Sequence, residues 1–473
     1  MRPPLCVDLD GTLIRTDLLY ETLLAALRRR PWVLFAVPFW LLAGRAVLKR
    51  RLAEAAGDSL VIDSLPLTKD LVVWLEAQKT AGRRIELVSA SDDALVRRVA
   101  EWLGLFDMAE GSDGTINLKG SAKAARLAER HPDGFVYAGD SRADFEVWER
   151  ACGAVPVNAS PSFEAEVARY APVEAAFGER DTMPAALFRA LRPHQWAKNA
   201  LLFLPLLLTR AYTDLDVLMN AIAAFFLISL AASGTYLMND LLDLGVDRSH
   251  PSKRNRPFAA GRLPLPLGLM LAPALVAVGV IGAAWIDTGL MLCLLAYLVL
   301  TIAYSFGIKT QPVIDVLTLG GLFTLRLLAG NTLIDGGVPV WLLAFSMFFF
   351  TSLALVKRLT EVRGLQSRGI EAIPGRGYTA SDAGIVLGLG LATGIASILV
   401  FMLYLVTEPL YLARLTNPWW LWAVPLVLGY WIPRVWLLAD RGLVHDDPVV
   451  FALKDRTSQF LGGFALIAVF LAA

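Results

Sequence analysis

From about residue 196 to its end this chain is a succession of apolar runs, near 196–211, 216–238, 265–286, 288–307, 312–333, 338–357, 381–406, 418–438 and 457–473. A hydrocarbon layer about 30 Å thick is crossed by about 20 helical residues. In lipid the backbone has to satisfy its own polar groups, which leaves helices as the reading for such runs. The spacing therefore predicts an all-α polytopic domain of about nine transmembrane helices within residues 187–473. Lys and Arg gather at 253–262, 309, 357–376 and 441–456, whereas the loops around Asp287, Asp335 and Glu408 are nearly free of them. The positive-inside rule then places the basic loops and the N-terminal part on the cytoplasmic side of the cell membrane, with the C-terminus outside.

The first third is different. It is rich in Arg, Asp and Glu in a chain that is 56% hydrophobic overall, which predicts a separate soluble domain over about 1–180. A net charge of +1 gives no case for nucleic-acid binding. Cys6, Cys152 and Cys293 have no metal-ligand spacing and read as reduced, buried residues. No signal peptide is expected, because Asp8-Leu9-Asp10-Gly11 stands where an apolar core would be needed. Pro4–Val7, Ile85–Val88 and Phe135–Ala138 have the form of buried strands, and polar residues follow each: Asp8 and Asp10, Ser89, and Gly139-Asp140-Ser141-x-x-Asp144. Side chains at the C-terminal ends of parallel strands are placed for ligand chemistry.

A second acidic cluster lies between the apolar runs. Asn239, Asp243 and Asp247 recur every fourth residue with Asp240 beside them, so on a helix they share one face. Magnesium takes oxygen ligands and readily shares them with a diphosphate. Lys253, Arg254, Arg256 and Arg262 follow at once, as donors for outer phosphate oxygens.

Asn239-Asp240-x-x-Asp243-x-x-x-Asp247, with His250-Pro251, Lys253, Arg256-Pro257 and Gly261, resembles the first aspartate-rich motif of the UbiA superfamily of intramembrane prenyltransferases. Arg192-Pro193-x-Gln195-Trp196-x-Lys198-Asn199 resembles the branch typified by decaprenyl-phosphate phosphoribosyltransferase. The resemblance implies Asp240, Asp243 and Asp247 as catalytic residues and Asn239, Asp243, Asp247 and Asp315 as Mg²⁺ ligands. It implies a substrate-binding set of Gln195, Lys198, Asn199, Asn239, Lys253, Arg256, Tyr304, Lys309, Arg326, Lys357 and Arg358. The family's second paired-acid motif is reduced here to Asp315, which fits a lipid carrying a monophosphate. Arg326 inside an apolar run would be costly unless paired or facing a polar cavity. Either a lipid phosphate or a helix-pinning carboxylate such as Glu361 would serve.

The N-terminal motifs resemble the haloacid dehalogenase superfamily, which implies a Rossmann-like α/β domain with a helical cap at about 17–80. Asp8 would be the nucleophile, Asp10 the acid and base, Ser89 and Lys123 the phosphate holders, and Asp8, Asp10, Asp140 and Asp144 the Mg²⁺ set. Lys119 rivals Lys123. Asp at position 10 favours a phosphatase. The apolar stretch Pro31–Leu48, flanked by Arg28–Arg30 and Lys49–Arg51, is either a helical cap that lies on or dips into the membrane surface, or a buried cap helix or helical pair. Residues 158–180 read as a linker.

Together these imply a bifunctional enzyme using polyprenyl phosphate and 5-phosphoribosyl 1-diphosphate, whose product the N-terminal domain dephosphorylates for cell-envelope sugar synthesis. A homo-oligomer is left open. An isoprenoid transferase acting on an aromatic acceptor, or a non-catalytic lipid-carrier regulator, are the competing readings.

Overall fold

The apolar tripeptide Leu5–Val7 is the centre of the N-terminal sheet. In the computed structural model, which describes residues 2–113, 117–178, 183–335, 340–366, 376–408, 412, 415–444 and 448–472, it forms β1. This strand pairs in parallel with β2 (Ile85–Asp92) on one side and β4 (Val136–Gly139) on the other. β3 (Met108–Ser112) and β5 (Gly153–Pro156) extend the edges, giving the parallel order β3-β2-β1-β4-β5. β1 is fully buried, as a strand covered on both faces requires.

Three helices follow β1: α1 (Leu18–Arg29), α2 (Val33–Leu42) and α3 (Arg45–Ala56). Asp17 caps α1, accepting from Leu19 N at 2.8 Å. Leu18, Leu24, Leu48 and Leu52 are buried, and Leu18, Leu48 and Leu52 share one core with Leu5 and Val7 of the sheet. α2 is apolar on every side, and its outer face is bare: Phe35 is 76%, Phe39 71% and Leu42 86% exposed. It is therefore not a buried cap helix. At 10 residues, or about 15 Å, it is too short to cross a bilayer. α4 (Lys69–Thr80) leads into β2, α5 (Asp93–Leu103) ends at left-handed Gly104, and α6 (Ser121–Arg130) buries Lys123.

Residues 158–178 are folded rather than strung out as a linker. Val173 and Phe177 bridge to Ala154 and Val157 beside β5, and Val167 and Ala171 are buried between. Apolar residues spaced among the prolines supplied this packing. Arg180 lies outside the described residues. Cys6 and Cys293 are buried free thiols as expected, but Cys152 is exposed, at the bend into β5.

Among the described residues, seven helices are long and apolar enough to cross a membrane: Leu215–Leu242, Leu265–Ile286, Thr288–Phe306, Ile314–Asn331, Val340–Gln366, Ala380–Thr407 and Pro418–Asp440. They coincide with seven of the nine expected spans, and the chain is a multi-pass membrane protein. The last run forms Arg456–Ala472, just short of that length. The first is a 3₁₀ stretch, Pro193–Phe203, followed by Leu204–Thr209 and stopped at left-handed Arg210. Small residues let these helices approach closely. A Cβ on Gly390 would lie 1.9 Å from the Trp436 ring, whose Nε1 donates to Ser352 Oγ at 3.1 Å. Residues 367–375 of the long basic loop lie outside the described residues.

The chain divides into two compact units, Met1–Arg192 with Tyr236–Pro273, and Pro193–Thr235 with Ala274–Ala473. The first acid-rich motif thus belongs to the same unit as the parallel sheet.

Candidate functional site

At the end of β1 the chain turns through Asp8, Leu9, Asp10 and Gly11. Gly11 has φ +74°, and a Cβ there would sit 2.3 Å from Asp140 Oδ2, so the turn requires glycine. The turn brings both loops' acids together: oxygens of Asp8, Asp140 and Asp144 lie within 4.8 Å of one another. Lys123 Nζ donates to Asp8 Oδ1 at 2.8 Å and to Tyr137 Oη at 2.9 Å, and Tyr137 in turn donates to Asp144 Oδ1 at 2.9 Å. Lys119 also lines the cleft, but Lys123 is the lysine in contact with Asp8.

Asp144 Oδ2 accepts from Asp140 N, Ser141 N and Ser141 Oγ at 3.1–3.2 Å. Both its oxygens are thus engaged within the protein, so Asp144 shapes the loop that presents Asp140. Asp10 Oδ1 accepts from Leu18 N at 2.8 Å, and its Oδ2 accepts from Ser91 Oγ at 2.6 Å and Ser89 Oγ at 3.3 Å. Ser91 was not singled out from the sequence. It stands two residues beyond Ser89 on the same strand, hence on the same face.

Burial pushes the carboxyls of Asp8 and Asp10 up to about 6; Lys123 opposes this for Asp8, while Asp17 adds to it for Asp10. Burial works against the Lys123 ammonium, but Asp8 and Asp144 outweigh it and raise it above the ordinary lysine value. Lys49, on α3, is lowered by burial; it donates to Ala90 O and to Asn117 Oδ1. The cleft has a volume of about 1150 Å³, and its walls carry Lys49 and Arg262 as well as Leu19, Leu23, Val37 and Leu41. Asp8 and Asp140, drawn together from two loops with Lys123 on one oxygen of Asp8, fit a magnesium ion that takes its other ligands from water and phosphate.

The second acidic cluster is neutralised differently. Helix Leu215–Leu242 stops at Asp243, and Leu244–Ser249 resumes; Asp243 N still donates to Asn239 O at 3.0 Å and Asp247 N to Asp243 O at 2.8 Å. Asp240 is paired with Arg192 at 2.5 Å and with Arg256 at 3.0 Å, and Arg256 also reaches Asp247 at 2.6 Å. Asp243 is partly exposed, 3.7 Å from Arg28 of α1. Arg256 is thus committed to acids, while half-buried Lys253 begins a 3₁₀ turn whose Arg254 and Asn255 are exposed. Half-buried Asn239 and Asp243 keep oxygens available, which suits an ion held by few protein ligands.

In the other unit, Asp315 is fully buried with both oxygens taken, by Arg358 Nε at 2.8 Å and Tyr378 Oη at 2.7 Å. Its carboxylate is an arginine partner here, not a free metal ligand. Arg358 also reaches Glu361 and Tyr304, and Tyr304 accepts from Arg376 at 2.5 Å. Arg326 is buried among neutral groups, donating to Asn199 Oδ1 at 2.7 Å, Leu322 O at 2.5 Å and Tyr297 Oη at 3.3 Å. No carboxylate pairs with it among the described residues. Its guanidinium and the Lys198 ammonium both lie over the Phe323 ring. Gln195, Lys309 and Lys357 are half-buried at helix positions of this unit.

The chain is 41% identical to the uncharacterized protein y4nM of Sinorhizobium fredii, over 98% of this chain and 90% of that one. It is 30% identical to the decaprenyl-phosphate phosphoribosyltransferase of Mycolicibacterium smegmatis, over 60% of this chain and 91% of that protein. Among solved structures, a phospho-aspartyl intermediate analogue of phosphoserine phosphatase aligns at 19% identity and TM-score 0.27, covering 39% of this chain and 98% of its own. The sequence model of the UbiA prenyltransferase family matches residues 200–454, more than half of the chain, and this protein therefore belongs to that family.

Proposed function

We propose that residues 187–473 transfer 5-phosphoribose from 5-phosphoribosyl 1-diphosphate to polyprenyl phosphate, and that residues 1–180 then remove the 5-phosphate. The product is polyprenyl-phosphoryl ribose, and both steps take place on the cytoplasmic face. The observation that carries the reading is Arg326: a guanidinium buried in an apolar helix among neutral partners calls for an anion. A lipid monophosphate meets it with Lys198 beside the same ring. The M. smegmatis relative, by its name, acts on such a lipid.

In the transfer step an oxygen of the lipid phosphate bonds to C1 of the ribose as the bond from C1 to the diphosphate breaks. Asn239 and Asp243 would hold the Mg²⁺, which supplies charge stabilisation for the departing diphosphate. Arg192 and Arg256 hold Asp240 and Asp247 in place, and Asp315 does the same for Arg358.

In the second step Asp8 attacks the 5-phosphoryl group to give an aspartyl-phosphate. Asp10, poised by Leu18 N and Ser91 Oγ, protonates the departing ribose oxygen and then takes the proton of the attacking water. Its raised pKa lets it carry that proton near neutral pH. Lys123 neutralises phosphoryl oxygens, and Asp8 with Asp140 would hold the Mg²⁺ of this site. The exposed apolar face of α2 would rest on the membrane surface, where the lipid product resides.

The test uses purified protein in detergent with Mg²⁺, a polyprenyl phosphate and 5-phosphoribosyl 1-diphosphate, with lipid products read by mass. Wild type should yield lipid-phosphoryl ribose, Asp8→Asn should stop at the 5-phosphorylated lipid, and Asp243→Asn should yield neither. Absence of any ribosylated lipid, with an isoprenyl diphosphate consumed on an aromatic acceptor, would overturn the assignment.

A further inference from the structure

The loop after the second acidic cluster does not stay with its acids. Arg248, one residue past Asp247, donates to both oxygens of Glu21 on α1, at 2.6 and 3.1 Å, and to Ala259 O at 3.0 Å. The Arg248 and Glu21 side chains are both buried, and the Thr16 hydroxyl donates to the same carboxylate at 2.7 Å. A bidentate, desolvated pair of this kind fixes a loop in one position. Farther along, Gly261 has φ +67°, and a Cβ there would stand 2.9 Å from the Arg15 carbonyl oxygen and 2.6 Å from its Cβ. Glycine alone lets the chain pass so close to the turn that follows Asp10.

The consequence is that Gly261, Arg262, Pro264, Leu265 and Pro266 form a wall of the cleft that holds Asp8, Asp10, Lys123 and Asp140. Sequence reading grouped Arg262 with Lys253 and Arg256, as a donor to the diphosphate of the transfer step. The fold puts it in the other site. That site already has Lys123 on Asp8 for the phosphoryl group in transfer, so Arg262 adds a cation that hydrolysis of a simple monoester does not require. The cleft, at about 1150 Å³, has room for far more than one phosphate, and Leu19, Leu23, Val37 and Leu41 give it an apolar side.

We propose that Arg262 is a specificity-determining residue of the phosphatase site, receiving the phosphodiester of a substrate whose terminal phosphate monoester lies at Asp8. The substrate class is a sugar carrying a phosphate monoester at one end and a phosphodiester to an apolar chain at the other. This rests on the hydrolytic half of the proposed function and makes the membrane half's own loop a part of it. A guanidinium offers paired donors to the two free diester oxygens, which a glycoside without that phosphate cannot accept.

Three compounds test it on the full chain in detergent with Mg²⁺: ribose 5-phosphate, an octyl riboside 5-phosphate, and octyl-phosphoryl ribose 5-phosphate. Phosphate release gives KM and kcat for each. Wild type should favour the diester over the octyl riboside by about tenfold in kcat/KM, chiefly through KM. Arg262→Gln should erase that preference, and Arg262→Lys should restore part of it. Both variants should melt with wild type, so that lost folding is not mistaken for lost recognition. Equal use of the two octyl compounds by wild type would overturn the proposal, as would an Arg262→Gln that slows all three alike, since the loop would then only prop the cleft. If wild type hydrolyses none of them, and Asp8→Asn is no different, the phosphatase reading itself fails and the proposal goes with it.

Discussion

The two acidic clusters of this chain look alike on paper and are neutralised in opposite ways. Around Asp8 the fold supplies one lysine and sets oxygens of Asp8, Asp140 and Asp144 within 4.8 Å of one another, close enough to share an ion. Around Asp240 and Asp247 it supplies Arg192 and Arg256, so the pair is already balanced. The difference teaches that spacing reveals where acids gather, whereas their counter-charge depends on tertiary neighbours. Arg192 lies 48 residues before Asp240 in the sequence. Like charges a few ångströms apart always need compensation, but either a cation ligand or a guanidinium provides it.

The sharpest way to break this comparison is to remove one acid from each cluster. Asp8→Asn should lower phosphate release by at least about 10³-fold while leaving ribosyl transfer in place, because a nucleophile has no substitute. Asp243→Asn should lower transfer by about 10²-fold and leave hydrolysis of ribose 5-phosphate intact. Loss of both activities in either variant would mean that the clusters do not act separately.

Stability comes next. Glu21→Ala strands the buried Arg248 guanidinium and should cost about 3–5 kcal/mol, read as a lowered melting temperature in detergent. Glu21→Met with Arg248→Met should recover most of it, since a well-packed apolar pair avoids the desolvation penalty. A smaller effect sharpens the metal half of the comparison. Asp8 is raised to about 6 by burial, so below that pH a proton competes with Mg²⁺. Mg²⁺ affinity at the phosphatase site, measured by calorimetry on the Asp243→Asn variant, should fall about tenfold per pH unit below 6 and level off above it. Smallest of all, Ser91→Ala removes the 2.6 Å bond to Asp10 and should slow hydrolysis by about tenfold or less.

Much of this was legible in the sequence, for identifiable reasons. Run length led to about nine spans, and seven of those runs are, among the described residues, helices long and apolar enough to cross a membrane, because lipid permits few alternatives. Asp8, Asp10 and Asp140 could be placed because each follows an apolar strand of the central sheet, and Ser89 because it follows the apolar first half of β2. β3 and β5 could not: Met108–Ser112 and Gly153–Pro156 are edge strands without an apolar run to mark them. Tyr137 escaped, and Lys49 and Arg262 were assigned to the membrane surface and to the other acidic cluster, because no local pattern distinguishes a lysine, tyrosine or arginine that a distant turn will face. Asp144 and Asp315 were recognised as important acids, but which donors would occupy their oxygens depended on Tyr137, Ser141, Arg358 and Tyr378.

One consequence follows from helix α2, ten apolar residues with Phe35, Phe39 and Leu42 bare on one side and Val37 and Leu41 lining the cleft on the other. If that face rests on lipid, the hydrolase meets its substrate in two dimensions. Its rate would follow the mole fraction of substrate in the surface, not its amount per litre. Adding empty micelles at constant substrate should then slow the enzyme by surface dilution, while turnover of ribose 5-phosphate, which never leaves the water, would not notice.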